Sequence, residues 1–421
     1  MQQNNETASR YTIAMVLIVG LFLMWGIANS LNDVLVAQFR KAFELNDFQS
    51  GLVQSAFYIG YFSFSIPASL FMSRFGYRAA IILGLVLYAA GAFLFYPAAE
   101  LQRYGFFLGA LFVIASGLAF LETSANPLMT VLGPPESADR RLNFAQSFNP
   151  LGAITGAALG SHLIFSDVHY SPEQLQQLTQ AQLEAYYRTE AHAVQLPYLL
   201  LGSLVLIWAV LVACAKFPPV EENRNSTDEQ PSGFRALLKH KHFWYGVVAQ
   251  FFYVGAQVGI WSYVIRYTQF NFPGTTEKAA SHYLTASLVL FMIGRFVGTY
   301  LMKRYSAARL MAIFAFANVL LVGIAIFGSH TGLYALVGAS FFMSIMFPTI
   351  FSLSLRGLGA ATKAGSSFLV MAIVGGAALT AIMGQISVAS SINTALCVPM
   401  VCFVVILAFS WNSRERSPLT R

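Results

Sequence analysis

The chain has 421 residues, of which 57% are hydrophobic and only 10% are charged, and its mean hydropathy is +0.61. Soluble domains carry about 25% charged residues, so the composition excludes a soluble globular protein and indicates an integral membrane protein. The net charge of +7 is not a sign of nucleic-acid binding, because the basic residues lie in short segments between apolar runs. The three cysteines, Cys214, Cys397 and Cys402, lie in apolar segments without metal-ligand spacing, which argues against a disulfide framework, a redox motif or a metal site.

Apolar blocks long enough to cross a bilayer as helices recur along the whole chain. The first block is much longer than the core of a cleavable signal peptide, so we expect it to be retained as a span. Together the blocks predict an all-α integral membrane protein with twelve transmembrane helices. Their approximate limits are 11–39, 48–72, 78–97, 104–131, 141–165, 195–215, 242–268, 281–303, 309–328, 332–356, 363–387 and 392–411.

The basic residues predict the orientation of these spans. An even number of spans places both termini on one side of the membrane. With the N-terminus inside, 18 of the 25 lysines and arginines fall in cytoplasmic segments and 5 in external ones. Because short cytoplasmic loops are enriched in lysine and arginine, we expect both termini to be cytoplasmic.

A polar run with several prolines, 216–241, divides the spans six and six. It predicts a cytoplasmic linker between an N-terminal bundle, 1–215, and a C-terminal bundle, 242–421. The two halves also resemble each other, since SLFMSRF at 69–75 after the second span matches TYLMKRY at 299–305 after the eighth. Two pseudo-symmetric six-helix bundles are a known transporter plan, in which the substrate binds near the middle of the membrane.

Glu122 is a lone carboxyl group in the otherwise apolar fourth span. Asn126 follows it by one helical turn on the same face, and Pro127 removes a backbone donor beside it. Together with Asp33 in the first span, it is one of two acidic residues well inside the spans. An ionisable group at such depth costs several kcal/mol and usually marks a transport path, although a protonated acid with a purely structural role is the alternative.

Polar and aromatic side chains form a stripe on each of three spans. Amides hydrogen-bond hydroxyl groups, and an aromatic face covers the apolar side of a sugar ring, so these stripes suit a neutral polyol. The alternative is that the amides only hold helices together. The stripes are Trp25, Asn29 and Asn32 or Asp33 in the first span, Asn143, Gln146 and Asn149 before a predicted break at Pro150 in the fifth, and Gln250, Tyr253, Gln257 and Trp261 in the seventh.

The two buried acids suit proton coupling, because burial disfavours their charged forms and a proton can bind and leave as access changes. Arg295 in the eighth span has no acidic partner in the C-terminal half. Two roles are open for it: capping helix carbonyls at the inner gate, or reaching a carboxylate of the N-terminal half.

Motifs along both halves carry a resemblance to a known family. They are LNDVLVAQF at 31–39, GLVQSAF at 51–57, LETSANP at 121–127, RLNFAQSFN at 141–149, YVGAQ at 253–257, WSYVIRY at 261–267, FPTIFS at 347–352 and GSSF at 365–368. With these motifs the chain resembles the fucose/galactose/glucose–proton symporter family of the major facilitator superfamily. The resemblance implies that Asp33 and Glu122 form the protonation pair, with Glu122 also contacting sugar. It also implies that Trp25, Gln146 and Asn149 line the sugar site.

One position departs from the family pattern. Where the family has a second asparagine after the one at position 29, this chain has Ser30, whose shorter side chain changes an expected sugar contact. The departure bears on which sugar is carried more than on the mechanism.

The sequence therefore predicts a bacterial inner-membrane importer that moves a monosaccharide, with L-fucose as the best guess, together with a proton by alternating access. A sodium-coupled hexose or amino-sugar carrier of the same fold is the main alternative. We expect no enzyme activity, since neither a Gly-x-Ser-x-Gly nor a His-Glu-x-x-His motif occurs. We also expect the protein to bind no cofactor, metal or nucleic acid. It is expected to be a monomer in contact with membrane lipid. The predicted sugar-binding residues are Trp25, Asn29, Ser30, Asn32, Glu122, Asn126, Gln146, Asn149, Tyr253, Gln257 and Trp261.

Overall fold

The structure is a computed structural model that describes residues 2–43, 47–164, 174, 177–215, 217 and 232–414. Within these ranges the chain forms α-helices joined by short turns, and no strand occurs. The helices are Gln2–Ala42, Asp47–Leu101, Tyr104–Val131, Ala138–Gln146, Phe148–Leu163, Gln180–His192, Gln195–Cys214, Ser232–Leu237, Lys241–Asn271, Glu277–Leu301, Ala307–Ile326, Ser329–Met343, Met346–Leu355, Thr362–Met371, Gly375–Ala389, Ile392–Ala395 and Cys397–Arg414.

Each of the twelve predicted spans has a helical counterpart in these ranges. Ten segments are long and apolar enough to cross a membrane. One of them, Leu52–Leu101, has 50 residues and holds two predicted spans. Gly76 turns the chain between these two spans with φ of 81°, a left-handed conformation that glycine adopts without steric cost. The predicted fifth span is not among the ten segments, and it is divided into two shorter helices of 9 and 16 residues.

The fifth span is broken, but not at the predicted residue. The break falls at Ser147, between the helices Ala138–Gln146 and Phe148–Leu163. Pro150, where the sequence analysis placed the break, lies in the first turn of the second helix. That position tolerates proline, because the first backbone N–H groups of a helix have no intrahelical acceptor. The prediction of a break was therefore right in kind and wrong in position.

The helices pack into two compact units. The first contains Met1–Glu122 and Leu151–Pro218. In it, the rings of Phe95 and Tyr198 stack with centroids 3.8 Å apart, and both side chains are fully buried. This stacked pair joins the third predicted span to the sixth.

Within the first unit, the helix Gln180–His192 is anchored to the first helix through two buried polar side chains. Gln38, near the C-terminal end of the helix Gln2–Ala42, donates from Nε2 to Glu190 Oε2 at 2.6 Å and to the Glu190 carbonyl at 2.9 Å. Glu190 belongs to the helix Gln180–His192. Burial strengthens such a bond, because no water competes for either partner.

The second unit contains Thr123–Pro150 and Pro219–Arg421. Side-chain bonds link its first segment to the tenth span. Asn143 donates from Nδ2 to Thr349 Oγ1 at 3.1 Å, and Arg356 forms an ion pair with Asp139. These bonds explain why residues 123–150 pack with the C-terminal half of the chain. Residues 216 and 218–231 of the predicted linker lie outside the described residues, so the division into 1–215, 216–241 and 242–421 stays a prediction.

Glycines allow helices to approach closely, as small residues in membrane helices are expected to do. A Cβ atom on Gly152 would lie 2.0 Å from the Leu23 carbonyl oxygen, and one on Gly294 would lie 2.3 Å from the Phe341 carbonyl oxygen. In both cases the obstacle is backbone, which cannot move aside as a flexible side chain can.

We expect Gly152→Ala to destabilise the protein by about 1–3 kcal/mol, because the added methyl group must displace a neighbouring helix. Thermal unfolding of the purified protein in detergent measures the effect. Gly109→Ala is the matched control, since a Cβ atom there meets nothing within 4 Å. Equal melting temperatures for the two variants would contradict the packing role of Gly152.

Candidate functional site

The candidate site is centred on Glu122 in the helix Tyr104–Val131. Its side chain is 0% exposed, and neither carboxyl oxygen has a hydrogen-bond partner among the described residues. The helix is held tightly against the third span, since a Cβ atom on Gly117 would lie 2.5 Å from the backbone nitrogen of Tyr88. Close packing of this kind keeps Glu122 inside the protein and away from lipid.

Further polar atoms of the first unit are buried and unpartnered. They are Trp25 Nε1 and Asn29 Oδ1 from the first span, and the hydroxyl oxygen of Tyr61 from the second. Because at least 90% of buried polar groups in proteins are hydrogen-bonded, several unpartnered groups in the same unit as Glu122 indicate a site for a polar ligand.

The structure describes the other predicted site residues of the first span only in part. Ser30 is half-buried. Asn32 and Asp33 lie in the helix Gln2–Ala42, but their side chains are outside the described part of the chain. The assignment of Asp33 to proton coupling therefore rests on the sequence.

Amides of the fourth and fifth spans meet within the second unit. Gln146 donates from Nε2 to Asn126 Oδ1 at 2.7 Å, and both side chains are buried. Asn143 also donates to the Asp139 carbonyl at 2.9 Å, whereas its own Oδ1 and the Nδ2 of Asn126 have no partner in the described ranges. Asn149 is half-buried. These amides thus connect helices and still offer one donor and one acceptor to a ligand.

The predicted stripe on the seventh span is partly anchored by hydrogen bonds. Tyr253 donates to the Met343 carbonyl at 3.1 Å, and Trp261 donates from Nε1 to Ser340 Oγ at 3.2 Å. Gln257 is half-buried. Gln250 is fully buried, and both of its amide atoms lack a partner among the described residues. The aromatic residues are therefore fixed in orientation, while Gln250 has free hydrogen-bonding capacity.

Arg295 is a buried cation that bonds to helix ends. Its Nε donates to the Ser344 carbonyl at 2.6 Å, and its Nη1 donates to the Gln146 carbonyl at 2.9 Å. The guanidinium also lies over the Phe291 ring, 4.5 Å from its centroid. The described ranges contain no ion pair of Arg295, and its bonds are those of carbonyl capping, one of the two roles left open by the sequence.

The geometry of these bonds follows from the broken spans. Ser344 directly follows the helix Ser329–Met343, and Gln146 ends the helix Ala138–Gln146. The last carbonyls of a helix have no intrahelical donor and carry the negative end of the helix dipole. A guanidinium with several fixed donors satisfies two such ends at once.

Tyr61 was missed by the sequence analysis, and Gln250 was seen only as part of a stripe. The chain has 19 tyrosines, so type alone does not single out one in the second span. Only the packing shows that the Tyr61 hydroxyl is buried and has no hydrogen-bond partner among the described residues. Across the described ranges, no group of three histidines, cysteines or acids is placed to hold a metal ion.

Comparison with known proteins defines the class and then the family. A sequence profile of the Major Facilitator Superfamily matches residues 14–384. The L-fucose-proton symporter of Escherichia coli (strain K12) is 47% identical over 406 residues, covering 95% of this chain and 93% of that protein. The L-fucose-proton symporter of Haemophilus influenzae (strain ATCC 51907 / DSM 11121 / KW20 / Rd) is 36% identical over 417 residues, with 96% and 97% covered.

A solved structure agrees with these sequence matches. It is the crystal structure of the Major Facilitator Superfamily transporter FucP in the outward conformation, which superposes with a TM-score of 0.90 at 46% identity and covers 96% of this chain and 99% of that one. The chain is thus a membrane transporter with the twelve-helix major facilitator fold. It belongs to the fucose/galactose/glucose–proton symporter family, as the motifs predicted, and the transporter names of its relatives confirm that it is not an enzyme.

We expect Arg295→Lys to lower the melting temperature by a few degrees, because the single ammonium group of lysine cannot replace a planar guanidinium that donates to two carbonyls. A lost charge-assisted bond costs about 1.5–3 kcal/mol. Thermal unfolding in detergent gives the measurement. The matched control is Arg266→Lys, since Arg266 is exposed and lies near the Tyr263 ring, 5.6 Å from its centroid. If the control melts as early as Arg295→Lys, the capping interpretation is wrong.

Proposed function

We propose that the protein imports a monosaccharide, with L-fucose as the best candidate, together with a proton. The observation that carries the proposal is the set of buried, unpartnered polar atoms in the first unit, which includes both carboxyl oxygens of Glu122. An unsatisfied buried polar group costs about 1–3 kcal/mol, so several together are explained by a ligand that supplies their partners. A sugar does so, because each hydroxyl group both donates and accepts hydrogen bonds.

The chemistry of these groups fits a sugar better than an apolar drug. Trp25 offers both an indole N–H and an aromatic face, whose ring stacks on Phe22 with centroids 5.8 Å apart. Asn29 offers an acceptor oxygen and Tyr61 a hydroxyl group. A small number of placed polar groups with an aromatic wall is the usual composition of a site for a small polar ligand. The names of the two relatives, both L-fucose-proton symporters, support fucose as the sugar and the proton as the coupled ion.

In the proposed cycle, Asp33 takes a proton from outside, which removes a buried charge and favours closure around bound sugar. Glu122 is protonated in the loaded state and contacts the sugar. Access then changes to the inside, the sugar leaves, and the carboxyl groups release the proton.

The other predicted site residues keep their proposed roles. Arg295 bonds to the helix ends at the breaks within the fifth and tenth spans, and through the Gln146 carbonyl it fixes a residue proposed to bind sugar. Ser30 is the proposed determinant of which sugar fits best. The proposed sugar-binding set is Trp25, Asn29, Ser30, Asn32, Glu122, Asn126, Gln146, Asn149, Tyr253, Gln257 and Trp261.

The proposal extends to location and assembly. We place the protein in the bacterial inner membrane, since its named relatives are bacterial, with both termini in the cytoplasm as the distribution of basic residues predicts. It acts as a monomer surrounded by lipid.

In liposomes containing the purified protein, we expect external L-fucose to draw protons inward, recorded with an entrapped pH indicator. Asp33→Asn should abolish accumulation against a gradient, because the amide cannot carry a proton. It should still exchange sugar for sugar, since exchange needs no net proton movement. Glu136→Gln is the control, since Glu136 is an exposed carboxylate outside the spans. Uphill uptake by Asp33→Asn would refute the role of this residue.

We expect L-fucose to raise the melting temperature of the purified protein more than glucose, galactose or amino sugars do. The physical reason is linkage, since a ligand that binds only the folded state stabilises it in proportion to its affinity. Each sugar is tested with and without sodium at fixed pH. A hexose or amino sugar that stabilises the protein only with sodium would favour the alternative carrier.

A further inference from the structure

The turn that joins the helices Glu277–Leu301 and Ala307–Ile326 contains a basic pocket. The pocket has a volume of about 170 Å³. It is lined by Tyr300, Leu301, Lys303, Arg304 and Tyr305. A single water needs only about 10–15 Å³, so the pocket has room for a larger group. It lies at the end of the eighth and ninth spans that is predicted to be cytoplasmic, where basic residues meet the membrane surface.

The cations of this turn have no acidic partner. No aspartate or glutamate occurs between positions 278 and 414 of the sequence. In the described ranges Lys303 and Arg304 are exposed and form no ion pair, and the Lys303 ammonium lies 5.0 Å from the centroid of the Tyr300 ring. Arg309 adds a third exposed cation in the first turn of the next helix, where the positive end of the helix dipole disfavours it. A bound anion offsets the repulsion among these groups.

The ninth span presents an exposed apolar stripe that ends at this turn. It consists of Ile313, Phe316, Leu320 and Ile324. Arg309 precedes Ile313 by four residues, so its exposed side chain lies on the same face. An exposed apolar stripe on a membrane-spanning helix is a surface for lipid chains. Tyr300 is 60% exposed and is of a residue type that collects at the level of the headgroups. The pocket thus lies where a headgroup meets its acyl chains.

The repeated motif shows what distinguishes this turn from its counterpart in the N-terminal half. Residues 69–75 after the second span correspond to residues 299–305 after the eighth, and Arg74 corresponds to Arg304. The first motif has Leu70, Ser73 and Phe75 where the second has Tyr300, Lys303 and Tyr305. The second turn therefore carries one more cation and two phenol hydroxyl groups, all of which can donate to phosphate oxygens.

We propose that this pocket binds the headgroup of an anionic phospholipid. Lys303 and Arg304 attract the phosphate, as basic pockets at the cytoplasmic ends of membrane helices do, and Tyr305 donates a hydrogen bond to it. The acyl chains lie along the exposed stripe of the ninth span. This stripe favours a lipid over free phosphate, because only a lipid uses both surfaces. The site shares no residue with the proposed sugar site.

The test titrates a fluorescent phosphatidylglycerol into the purified protein in a neutral detergent and measures the fluorescence anisotropy. Phosphatidylcholine with the same label and acyl chains is the neutral comparison. We expect the wild-type protein to bind phosphatidylglycerol more tightly than phosphatidylcholine. Arg304→Gln should weaken binding of phosphatidylglycerol by about fivefold, the worth of one cation at a membrane surface, and leave binding of phosphatidylcholine unchanged. Equal binding of the two lipids by the wild-type protein would overturn the proposal.

Arg74→Gln is the matched control. It removes the same charge from the corresponding turn of the other half, where the Arg74 guanidinium lies 5.3 Å from the centroid of the Phe75 ring. We expect wild-type affinity for phosphatidylglycerol in this variant. An equal loss of affinity in Arg74→Gln and Arg304→Gln would reveal a general effect of net charge and would overturn the pocket.

Tyr305→Phe tests the site without a change of charge, and it serves if Arg304→Gln folds poorly. Phenylalanine is the residue at the corresponding position 75. We expect the affinity for phosphatidylglycerol to fall by about threefold to tenfold, the worth of one hydrogen bond. Wild-type affinity in folded Tyr305→Phe would refute the proposed contact with the headgroup.

Inorganic phosphate distinguishes the two sources of the anion. We expect sodium phosphate to displace the labelled lipid no better than sodium chloride does at equal ionic strength, since phosphate alone gains nothing from the apolar stripe. Displacement by phosphate well beyond that by chloride would identify a site for free anions and overturn the lipid assignment. Sugar is absent from all of these measurements, so their outcome does not depend on the proposed function.

Discussion

A carboxyl group enclosed by membrane helices without a partner is the constraint on which the rest of this structure depends. Glu122 is fully buried, and its two oxygens accept no hydrogen bond from the described residues. Such a group is tolerated when it is neutral or when a ligand supplies its hydrogen-bond partners. Both conditions describe a transporter that alternates between loaded and empty states. In the same unit, Trp25 Nε1 and the Tyr61 hydroxyl also lack partners among the described residues, so this unit holds several groups suited to a hydroxyl-rich ligand.

In the second unit, the main constraint is the hydrogen bonding of helix ends inside a membrane protein. The fifth and tenth spans are broken at Ser147 and after Met343. Interrupted helices leave carbonyls without donors at membrane depth, which is tolerated only where protein or a wet cavity satisfies them. Arg295 donates to carbonyls at both breaks. Its charge is thus balanced by helix ends and an aromatic face, which explains how a cation is kept inside a span without an acidic partner.

The bonds of Arg295 that stabilise the helix ends also hold a residue of the proposed sugar site. Gln146 accepts from Arg295 through its carbonyl and donates to Asn126 through its side chain. A residue proposed to bind sugar is therefore held at both ends, which fixes the direction of its amide before a ligand arrives. Preorganisation of this kind reduces the entropy lost on binding. The two interpretations of the amides in the sequence, helix packing and ligand binding, both apply to this one side chain.

Several parts of the site were predictable because their signal is local. A lone Glu122 in an apolar run and amides at helical spacing are visible without any knowledge of packing, because burial of polar groups in lipid is so unfavourable that their presence alone is informative. The position of the break in the fifth span was not predictable from Pro150, since proline both breaks helices and begins them. Tyr61 was not predictable either, because a tyrosine in a span can equally place its hydroxyl group against backbone, as Tyr88 does.

The sequence by itself determined the membrane class, the twelve spans and the family, because span length, hydropathy and motifs are properties of the chain read in order. The tertiary structure alone decided which polar groups are satisfied and which are left for a ligand. It showed that Arg295 bonds to carbonyls and that the Tyr61 hydroxyl is buried without a hydrogen-bond partner among the described residues. The physical reason is that hydrogen bonds are short-ranged and directional, so the partners of a buried group depend on residues that are far apart in sequence and are brought together only by helix packing.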